Sequence, residues 1–224
     1  MALLETIHLK KTYTIGKNIQ TDALRGVSLQ IAEGEFLAIA GPSGSGKSSL
    51  LNLIGALDTP TAGTVLLDNQ NISEINSQEL AAFRLHHIGF IFQAYNLINT
   101  LTAVENVEYI MLLQGVNRRT RESKSEAILE RVGLADYINR FPQEMSGGQQ
   151  QRIAVARAMA AEPRVILADE PTANLDSKTA QDLLDLMAEL NREKGVTFVF
   201  STHDQLIMER AHRLITLKDG VITS

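Results

Sequence analysis

The sequence contains no cysteine, and this absence excludes a disulfide framework and any metal site built on thiolates. It also contains no long run of basic residues, and its formal net charge is −5. General nucleic-acid-binding proteins usually carry a basic surface, so the composition does not favour that function and we expect no nucleic-acid partner. A cysteine-free chain fits a reducing compartment.

Long apolar runs are missing as well. No stretch approaches the roughly 18–20 residues that a helix needs to cross a bilayer. The first residues, MALLE, lack the charged and then apolar build of a signal peptide. We therefore expect a soluble chain with no direct membrane insertion, for which any membrane role depends on a partner.

The 224 residues, of which 44% are apolar and 21% charged, have the composition of one globular domain with a real core. Short apolar runs at 36–40, 165–168 and 196–202 alternate with helical patterns, which predicts a largely parallel sheet with helices on both faces. Residues 7–10 and 27–31 alternate like half-buried strands. Residues 101–141 are rich in charge and helical in pattern, and we expect them to form an insertion.

A glycine-rich loop follows the first of these apolar runs. It reads Gly41-Pro42-Ser43-Gly44-Ser45-Gly46-Lys47-Ser48 and fits the pattern G-x-x-x-x-G-K-[ST] in full. The glycines let successive backbone N–H groups face inward, and the following helix N-terminus adds partial positive charge. We expect Lys47 to reach the β and γ phosphates of a nucleotide and Ser48 to offer its hydroxyl to Mg²⁺.

An acidic pair, Asp169 and Glu170, closes the apolar run at 165–168. Two carboxylates at the end of a buried strand are costly without a cation or a proton to meet them. A Mg²⁺–phosphate site supplies that cation, with Asp169 in the metal shell and Glu170 as the general base that polarises the attacking water. The alternative is a strand-end acidic pair that faces solvent.

A second glycine-containing helix start, Ser146-Gly147-Gly148-Gln149, follows Pro142. Ser146 is a good N-cap, and this alone is a structural explanation. Glycine is a poor helix former, however, and two in succession are expected where a ligand approaches the backbone closely. Two phosphate-binding segments in one chain suggest that two chains clasp nucleotide between them.

Three further residues indicate a function only in combination with these motifs. Gln93 follows the apolar run at 88–92, His203 follows the run at 196–202, and Tyr13 lies near the N-terminus. Taken alone, Gln93 indicates no function. His203 could equally be a structural histidine, and Tyr13 could be an aromatic ring that only packs.

In their order along the chain, these motifs resemble the nucleotide-binding subunit of an ATP-binding cassette (ABC) system over essentially all 224 residues. The resemblance implies that Tyr13 stacks on adenine, Gln93 forms the Q-loop and His203 is the switch histidine. It also makes residues 146–149 the signature, residues 165–170 the Walker B strand, and Asp176 of Asn174-Leu175-Asp176 the D-loop aspartate. Met145 departs from the usual leucine, with little expected effect.

The resemblance implies an α/β P-loop NTPase fold: a RecA-like core with an N-terminal antiparallel β subdomain (residues 1–93 and 152–224) and an inserted α-helical subdomain (about 94–151). It implies ATP and Mg²⁺ as cofactors and hydrolysis of ATP to ADP and phosphate. The implied metal ligands are Ser48, Gln93 and Asp169, and the implied catalytic residues are Glu170, His203 and Gln93. The implied nucleotide-binding residues are Tyr13, Gly41, Pro42, Ser43, Gly44, Ser45, Gly46, Lys47, Ser48 and Ser49.

The family architecture further implies a head-to-tail homodimer. ATP would lie between the P-loop of one chain and the signature residues of the other, which are Ser146, Gly147, Gly148 and Gln149. Asp176 would couple the two sites across the interface. The helical insertion would dock a separate transmembrane permease, which would hold the cytoplasmic subunit on the inner face of the cell membrane.

Segments 21–28, 55–63 and 146–152 resemble those of the short stand-alone cassettes of lipoprotein-release and macrolide-efflux systems. Two ABC ATPases with other tasks stay open: a cell-division cassette that gates wall hydrolases, and a soluble ATPase of iron–sulfur assembly. A third alternative is a P-loop small-molecule kinase. The Ser146–Gln149 segment and a histidine after a strand oppose the kinase.

Overall fold

The computed structural model describes residues 2–16 and 19–223. The strands are β1 (Ala2–Ile15), β2 (Ile19–Ala32), β3 (Phe36–Ala40), β4 (Ala62–Leu67), β5 (Gln70–Asn71), β6 (Ile88–Phe92), β7 (Val165–Asp169), β8 (Thr197–Thr202), β9 (Arg213–Lys218) and β10 (Val221–Ile222). The helices are α1 (Lys47–Ile54), α2 (Ser77–His87), α3 (Ala103–Leu113), α4 (Arg118–Arg131), α5 (Gly147–Ala160), α6 (Ser177–Lys194) and α7 (Gln205–Arg210). Within these described residues, no helix is long and apolar enough to cross a membrane.

Six strands form one sheet in the order β10-β9-β3-β8-β7-β6. The five strands from β9 to β6 run parallel, and only the short β10 is antiparallel to its neighbour. The predicted largely parallel sheet is therefore confirmed. The other four strands form an antiparallel sheet in the order β2-β1-β4-β5, whose main feature is the long β1–β2 pair.

The two faces of the six-stranded sheet pack into two separate hydrophobic clusters. Phe36 and Ala38 of β3 belong to one cluster, which includes Phe198 and Phe200 and extends into α3, α4, α5 and α6. Leu37 and Ile39 belong to the other, which includes α1 and the antiparallel sheet. Because successive strand residues point to opposite faces, both faces of β3 are apolar, as expected for a covered parallel strand.

The segment that was predicted as a helical insertion contains α3, α4 and a 3-10 turn at Ala135–Tyr137. A capping box begins α3: Thr102 Oγ1 accepts from the N–H of Glu105, and the Glu105 carboxylate accepts from the N–H of Thr102. Both helices pack on α5, which also contacts β6. The limits of a helical subdomain at about 94–151 stay a prediction.

Several elements differ from the sequence-based expectation, α2 and β1 most clearly. The helix α2 was not predicted, because its apolar residues follow no strong helical periodicity and Leu80 is its only buried residue. Strand β1 is much longer than the four alternating residues at 7–10, because register shifts interrupt its alternation and His8 has a positive φ of 47°.

Candidate active site

The carboxyl ends of four parallel strands lie at one edge of the sheet. Ala40 pairs with Thr202, Ser201 pairs with Asp169, and Asp169 pairs with Phe92. The residues that follow these strand ends are therefore brought to the same edge: Gly41, His203, Glu170 and Gln93. In open α/β sheets this edge is where ligands bind.

The backbone of the glycine loop is fixed by its neighbours. A Cβ on Gly41 would lie 2.1 Å from the carbonyl oxygen of Leu217, and one on Gly46 would lie 2.4 Å from that of Ala23. Gly46, which has a φ of 103°, precedes α1 and provides no side-chain cap. The first N–H groups of α1 therefore have no capping side chain, which suits them to bind an anion.

Lys47 is the cation at the centre of this loop. The residue is only 6% exposed, and its Nζ donates to the carbonyl oxygens of Gly41 (2.8 Å) and Pro42 (3.1 Å). None of the ion pairs between described residues includes Lys47. A buried ammonium that meets only carbonyl dipoles gains from a bound anion, so the environment of Lys47 favours a phosphate.

The next loop residue, Ser48, contacts the acidic strand end. Its Oγ donates to Oδ1 of Asp169 at 3.3 Å. Two hard oxygen ligands so close together fit Mg²⁺, which is usually held by one or two protein ligands together with water and phosphate oxygens. Within the described part of the chain, no cluster of three His, Asp or Glu side chains could hold a metal ion.

Glu170 and His203 form a pair beside this position. Oε1 of Glu170 lies 2.8 Å from Nδ1 of His203, and both side chains line a cavity of about 380 Å³. The φ of Glu170 is +46°, a conformation that is costly for a residue other than glycine, and its N–H donates to the carbonyl of Ser201 at 2.9 Å. Strain at a carboxylate in a cleft is typical of functional sites.

Gln93 is exposed at the end of β6, next to this pair of strand ends. Its carbonyl accepts a hydrogen bond from Nδ2 of Asn174 at 2.9 Å, which joins the predicted Q-loop to the predicted D-loop. Asp176 itself is the N-cap of α6. Hydrogen bonds from the side chain and backbone of Thr179 lower the pKa of Asp176 below its ordinary value.

At the start of α5, Ser146 and Gln149 form a capping box. Ser146 Oγ accepts from the Gln149 N–H at 3.3 Å, and Gln149 Oε1 accepts from the Ser146 N–H at 2.9 Å. The two glycines between them pack against side chains of the same chain. A Cβ on Gly147 would lie 2.6 Å from the Tyr95 hydroxyl, and one on Gly148 would lie 2.3 Å from Cγ2 of Thr179.

Close packing within one chain is thus a second explanation for the two glycines, beside the predicted close approach of a ligand. The phosphate-binding roles of Ser146, Gly147, Gly148 and Gln149 stay predictions.

Tyr13 contacts Asp58 and Lys11. Its hydroxyl donates to Oδ2 of Asp58 at 3.0 Å, and Lys11 Nζ lies 4.9 Å from the centre of its ring. Burial alone would raise the pKa of Asp58, but hydrogen bonds from Lys11, the Thr59 N–H and Tyr13 outweigh it and lower that pKa. No hydrogen bond between described residues joins Tyr13 to the glycine loop, and stacking on adenine stays a prediction.

Two residues that the sequence did not single out position the loop around His203. Thr172 Oγ1 donates to Oδ2 of Asp204 at 2.6 Å, and Asp204 Oδ1 caps α7 by accepting from the N–H of Leu206. An aspartate between a strand and a helix is a recognisable N-cap signal. The contact between Asp204 and Thr172 cannot be recognised from the sequence, because the two residues are 32 positions apart.

A P-loop at the carboxyl edge of a parallel sheet, with an acidic strand end and a histidine beside it, defines a nucleotide-hydrolysing class of protein. The sequence model described as "ABC transporter" matches residues 24–173, about two thirds of the chain. The chain belongs to the ABC transporter family, and it is an ABC-type ATPase.

Similar proteins agree with this family. The chain is 46% identical over 215 residues to the lipoprotein-releasing system ATP-binding protein LolD 1 of Rhodopseudomonas palustris, covering 96% of this chain and 95% of that protein. It is 42% identical over 224 residues to the macrolide export protein MacB of Syntrophobacter fumaroxidans, covering 99% of this chain but 31% of that longer protein. The dimeric post-hydrolysis structure of the Methanocaldococcus jannaschii cassette MJ0796 with ADP and Pi superposes with a TM-score of 0.91 at 43% identity, covering 99% of this chain and 97% of that one.

Proposed function

We propose that the chain is the ATP-hydrolysing subunit of an ABC membrane complex that drives efflux or release of a substrate, such as a lipoprotein or a macrolide, through a separate permease. The observation that carries this proposal is the meeting of Lys47, the Ser48–Asp169 contact and the Glu170–His203 pair at one sheet edge. The substrate class is suggested by the similarity to LolD 1 and MacB.

In the mechanism that we propose, the N–H groups of the loop and of α1 bind the ATP phosphates, and Lys47 neutralises part of their charge. Ser48, Asp169 and Gln93 would hold Mg²⁺, which when bound offsets the negative charge of the β and γ phosphates. Glu170 accepts the proton of the attacking water as general base. His203 holds the γ-phosphate, and its contact with Glu170 keeps that carboxylate oriented.

A second copy of this chain would complete the nucleotide-binding site. At the α5 N-terminus Ser146 is exposed and the next three residues are half-buried, and no hydrogen bond between described residues joins this helix start to the glycine loop. A head-to-tail dimer would bring this helix N-terminus to the nucleotide held on the partner subunit. The dimeric MJ0796 structure supports this arrangement as a precedent.

A surface for the permease is available beside Gln93. An apolar groove of about 320 Å³ runs between β6, α3 and α5, and it is lined in part by Ile98, Tyr109 and Leu113. Leu112 and Leu113 are half exposed, which is unusual for large apolar side chains grouped at one end of a helix. We propose that a coupling segment of the permease covers this groove and holds the subunit on the cytoplasmic face of the membrane.

The proposal is tested by affinity purification of tagged Glu170→Gln protein from detergent-solubilised membranes with ATP and Mg²⁺, followed by mass spectrometry. We expect a membrane protein with few transmembrane helices and a large extracytoplasmic domain to co-purify. The matched control carries Lys47→Ala in the same background and should lose ATP-dependent enrichment. A soluble assembly partner, with nothing from the membrane, would overturn the transport function and leave the ATPase chemistry intact.

A further inference from the structure

The turn that follows β6 has an unusual backbone. Tyr95 and Asn96 are consecutive residues with positive φ, at 61° and 51°. The left-handed conformation is unfavourable for residues with a Cβ, and tyrosine is a poor candidate for it. Gln93 opens this turn, so the backbone conformation of Tyr95 and Asn96 contributes to the position of Gln93.

Arg157 of α5 binds both strained residues. Its Nη1 donates to the carbonyl oxygen of Asn96 at 2.5 Å, and its Nη2 donates to that of Tyr95 at 3.0 Å. The planar guanidinium suits two neighbouring acceptors, which a lysine ammonium cannot bind with the same geometry. Burial lowers the pKa of Arg157, and no carboxylate pairs with it among the ion pairs of the described residues. Among the described residues, this half-buried cation therefore has these two carbonyls as its hydrogen-bond partners.

Other contacts attach the same segment to α5. The fully buried side chain of Gln151 donates to the carbonyl of Pro171 at 2.8 Å and, more weakly, to that of Phe92 at 3.5 Å. The Tyr95 hydroxyl lies against Gly147, where a Cβ would come within 2.6 Å of it. The turn is thus joined to α5 at the beginning of the helix by Gly147, one turn further on by Gln151, and near its end by Arg157.

We propose that Arg157 is a positioning residue that holds the turn at 93–96 in its left-handed form against α5, so that Gln93 and the signature helix move as one unit. A displacement of α5 by a partner subunit would then be transmitted to Gln93 through two hydrogen bonds. This inference rests on the proposed function for the roles of Gln93 and α5.

The first test measures the motion of the turn and does not depend on ATP hydrolysis. Because the chain has no cysteine, Ala94→Cys provides a single site for a nitroxide spin label. We expect the electron paramagnetic resonance spectrum to show a clearly more mobile label in Arg157→Gln than in the parent. Arg157→Lys should lie between the two, and it replaces Arg157→Gln as the test if that variant does not fold.

The matched control is Arg84→Gln. Arg84 Nη1 donates to the carbonyl of Ala56 at 2.7 Å, and Ala56 also has a positive φ, of 55°. This control removes the same type of contact away from the turn, and the label at position 94 should keep its parental spectrum. An unchanged spectrum in folded Arg157 variants, or an equal change in Arg84→Gln, would overturn the proposal.

The second test asks whether Arg157 acts through Gln93. We expect Arg157→Gln to lower kcat for ATP about tenfold, which corresponds to about 1.4 kcal/mol, while KM changes less than threefold. Adding Gln93→Ala should then lower kcat by less than a further factor of two. Independent, multiplicative losses would contradict the inference. A parent protein without ATPase activity would instead refute the proposed function, while the spin-label experiment would still decide the inference.

Discussion

The two glycine-containing helix N-termini of this chain look alike in sequence but are built differently. The N-terminus of α1 has no side-chain cap, and the loop before it is shaped by backbone carbonyls of Ala23 and Leu217. The N-terminus of α5 is capped by Ser146 and Gln149, and its glycines make room for the side chains of the same chain.

The different construction of the two helix N-termini predicts two modes of phosphate binding, one within a subunit and one between two subunits. The uncapped N–H groups of α1, together with the buried cation Lys47, are ready for an anion within one subunit. At α5 one of the terminal N–H groups is already satisfied by Ser146, and no lysine accompanies the helix start. We therefore expect α1 to bind nucleotide in the isolated subunit, and α5 to contribute only when two subunits meet.

The largest expected effect comes from Lys47→Ala. Removing a buried cation that binds phosphate should weaken ATP binding about 100-fold, corresponding to about 2.8 kcal/mol. Isothermal titration calorimetry with the Mg²⁺–ATP complex measures this. Ser146→Ala should leave the affinity of the isolated subunit within a factor of two. Equal losses of ATP affinity in the two variants would contradict the different roles that we assign to α1 and α5.

The glycine loop should tolerate alanine at one glycine and not at another. Gly41→Ala places a Cβ against the Leu217 carbonyl, and we expect the free energy of unfolding to fall by about 2.5 kcal/mol. Gly44 has a φ of 78° but open space around it, so Gly44→Ala should cost only about 1 kcal/mol. Denaturant unfolding compares the two. A smaller loss for Gly41→Ala than for Gly44→Ala would refute the packing explanation.

At α5 the close contact is with a side chain and should be repairable. Gly148→Ala is expected to cost about 2 kcal/mol of unfolding free energy through its contact with Cγ2 of Thr179. Thr179→Ser removes that methyl group while keeping the hydroxyl that binds Asp176, so it should recover at least half of the loss.

The double variant Gly148→Ala/Thr179→Ser then tests whether Gly148 has a role besides packing. If stability returns but ATP-dependent dimerisation does not, Gly148 also serves close approach of a ligand. If both return, packing against Thr179 is its whole purpose. No recovery of stability in the double variant would contradict the contact on which this interpretation depends.

The smallest expected effect concerns pH. The pKa of Asp176 is lower in the folded chain than its ordinary value of 3.8, so its contribution to stability is present above that value and is lost as pH falls through the folded pKa. Asp176→Asn, which keeps an N-cap, should therefore differ little from the parent at pH 7. Below pH 4 the parent should lose stability more steeply than the variant in thermal unfolding. Parallel pH profiles would contradict this.

The sequence was sufficient to predict the parallel sheet, because a strand covered on both faces is a short apolar run, as at β3. It also predicted which residues follow the strand ends, and parallel pairing necessarily brings such residues to one edge. Helix α2 and most of β1 were missed. The first buries a single side chain, and the second is interrupted by register shifts that break its alternation.

The contacts that hold the site together could not be predicted from the sequence. Arg157 binds carbonyls about 60 positions away, and Thr172 binds Asp204 across 32 positions. The sequence also does not show that Tyr95 and Thr179 pack against the glycines of α5, whose role in ligand approach stays a prediction. Such contacts depend on tertiary packing, which local patterns do not encode.

The most direct test of the account is the molar mass of Glu170→Gln, measured by size-exclusion chromatography with light scattering in the presence and absence of ATP and Mg²⁺. Loss of the general base should prevent turnover, so bound ATP should hold two subunits together and double the molar mass. Lys47→Ala in the same background should remain a monomer. A Glu170→Gln protein that binds ATP and keeps the mass of one subunit, or that doubles its mass without ATP, would contradict the account.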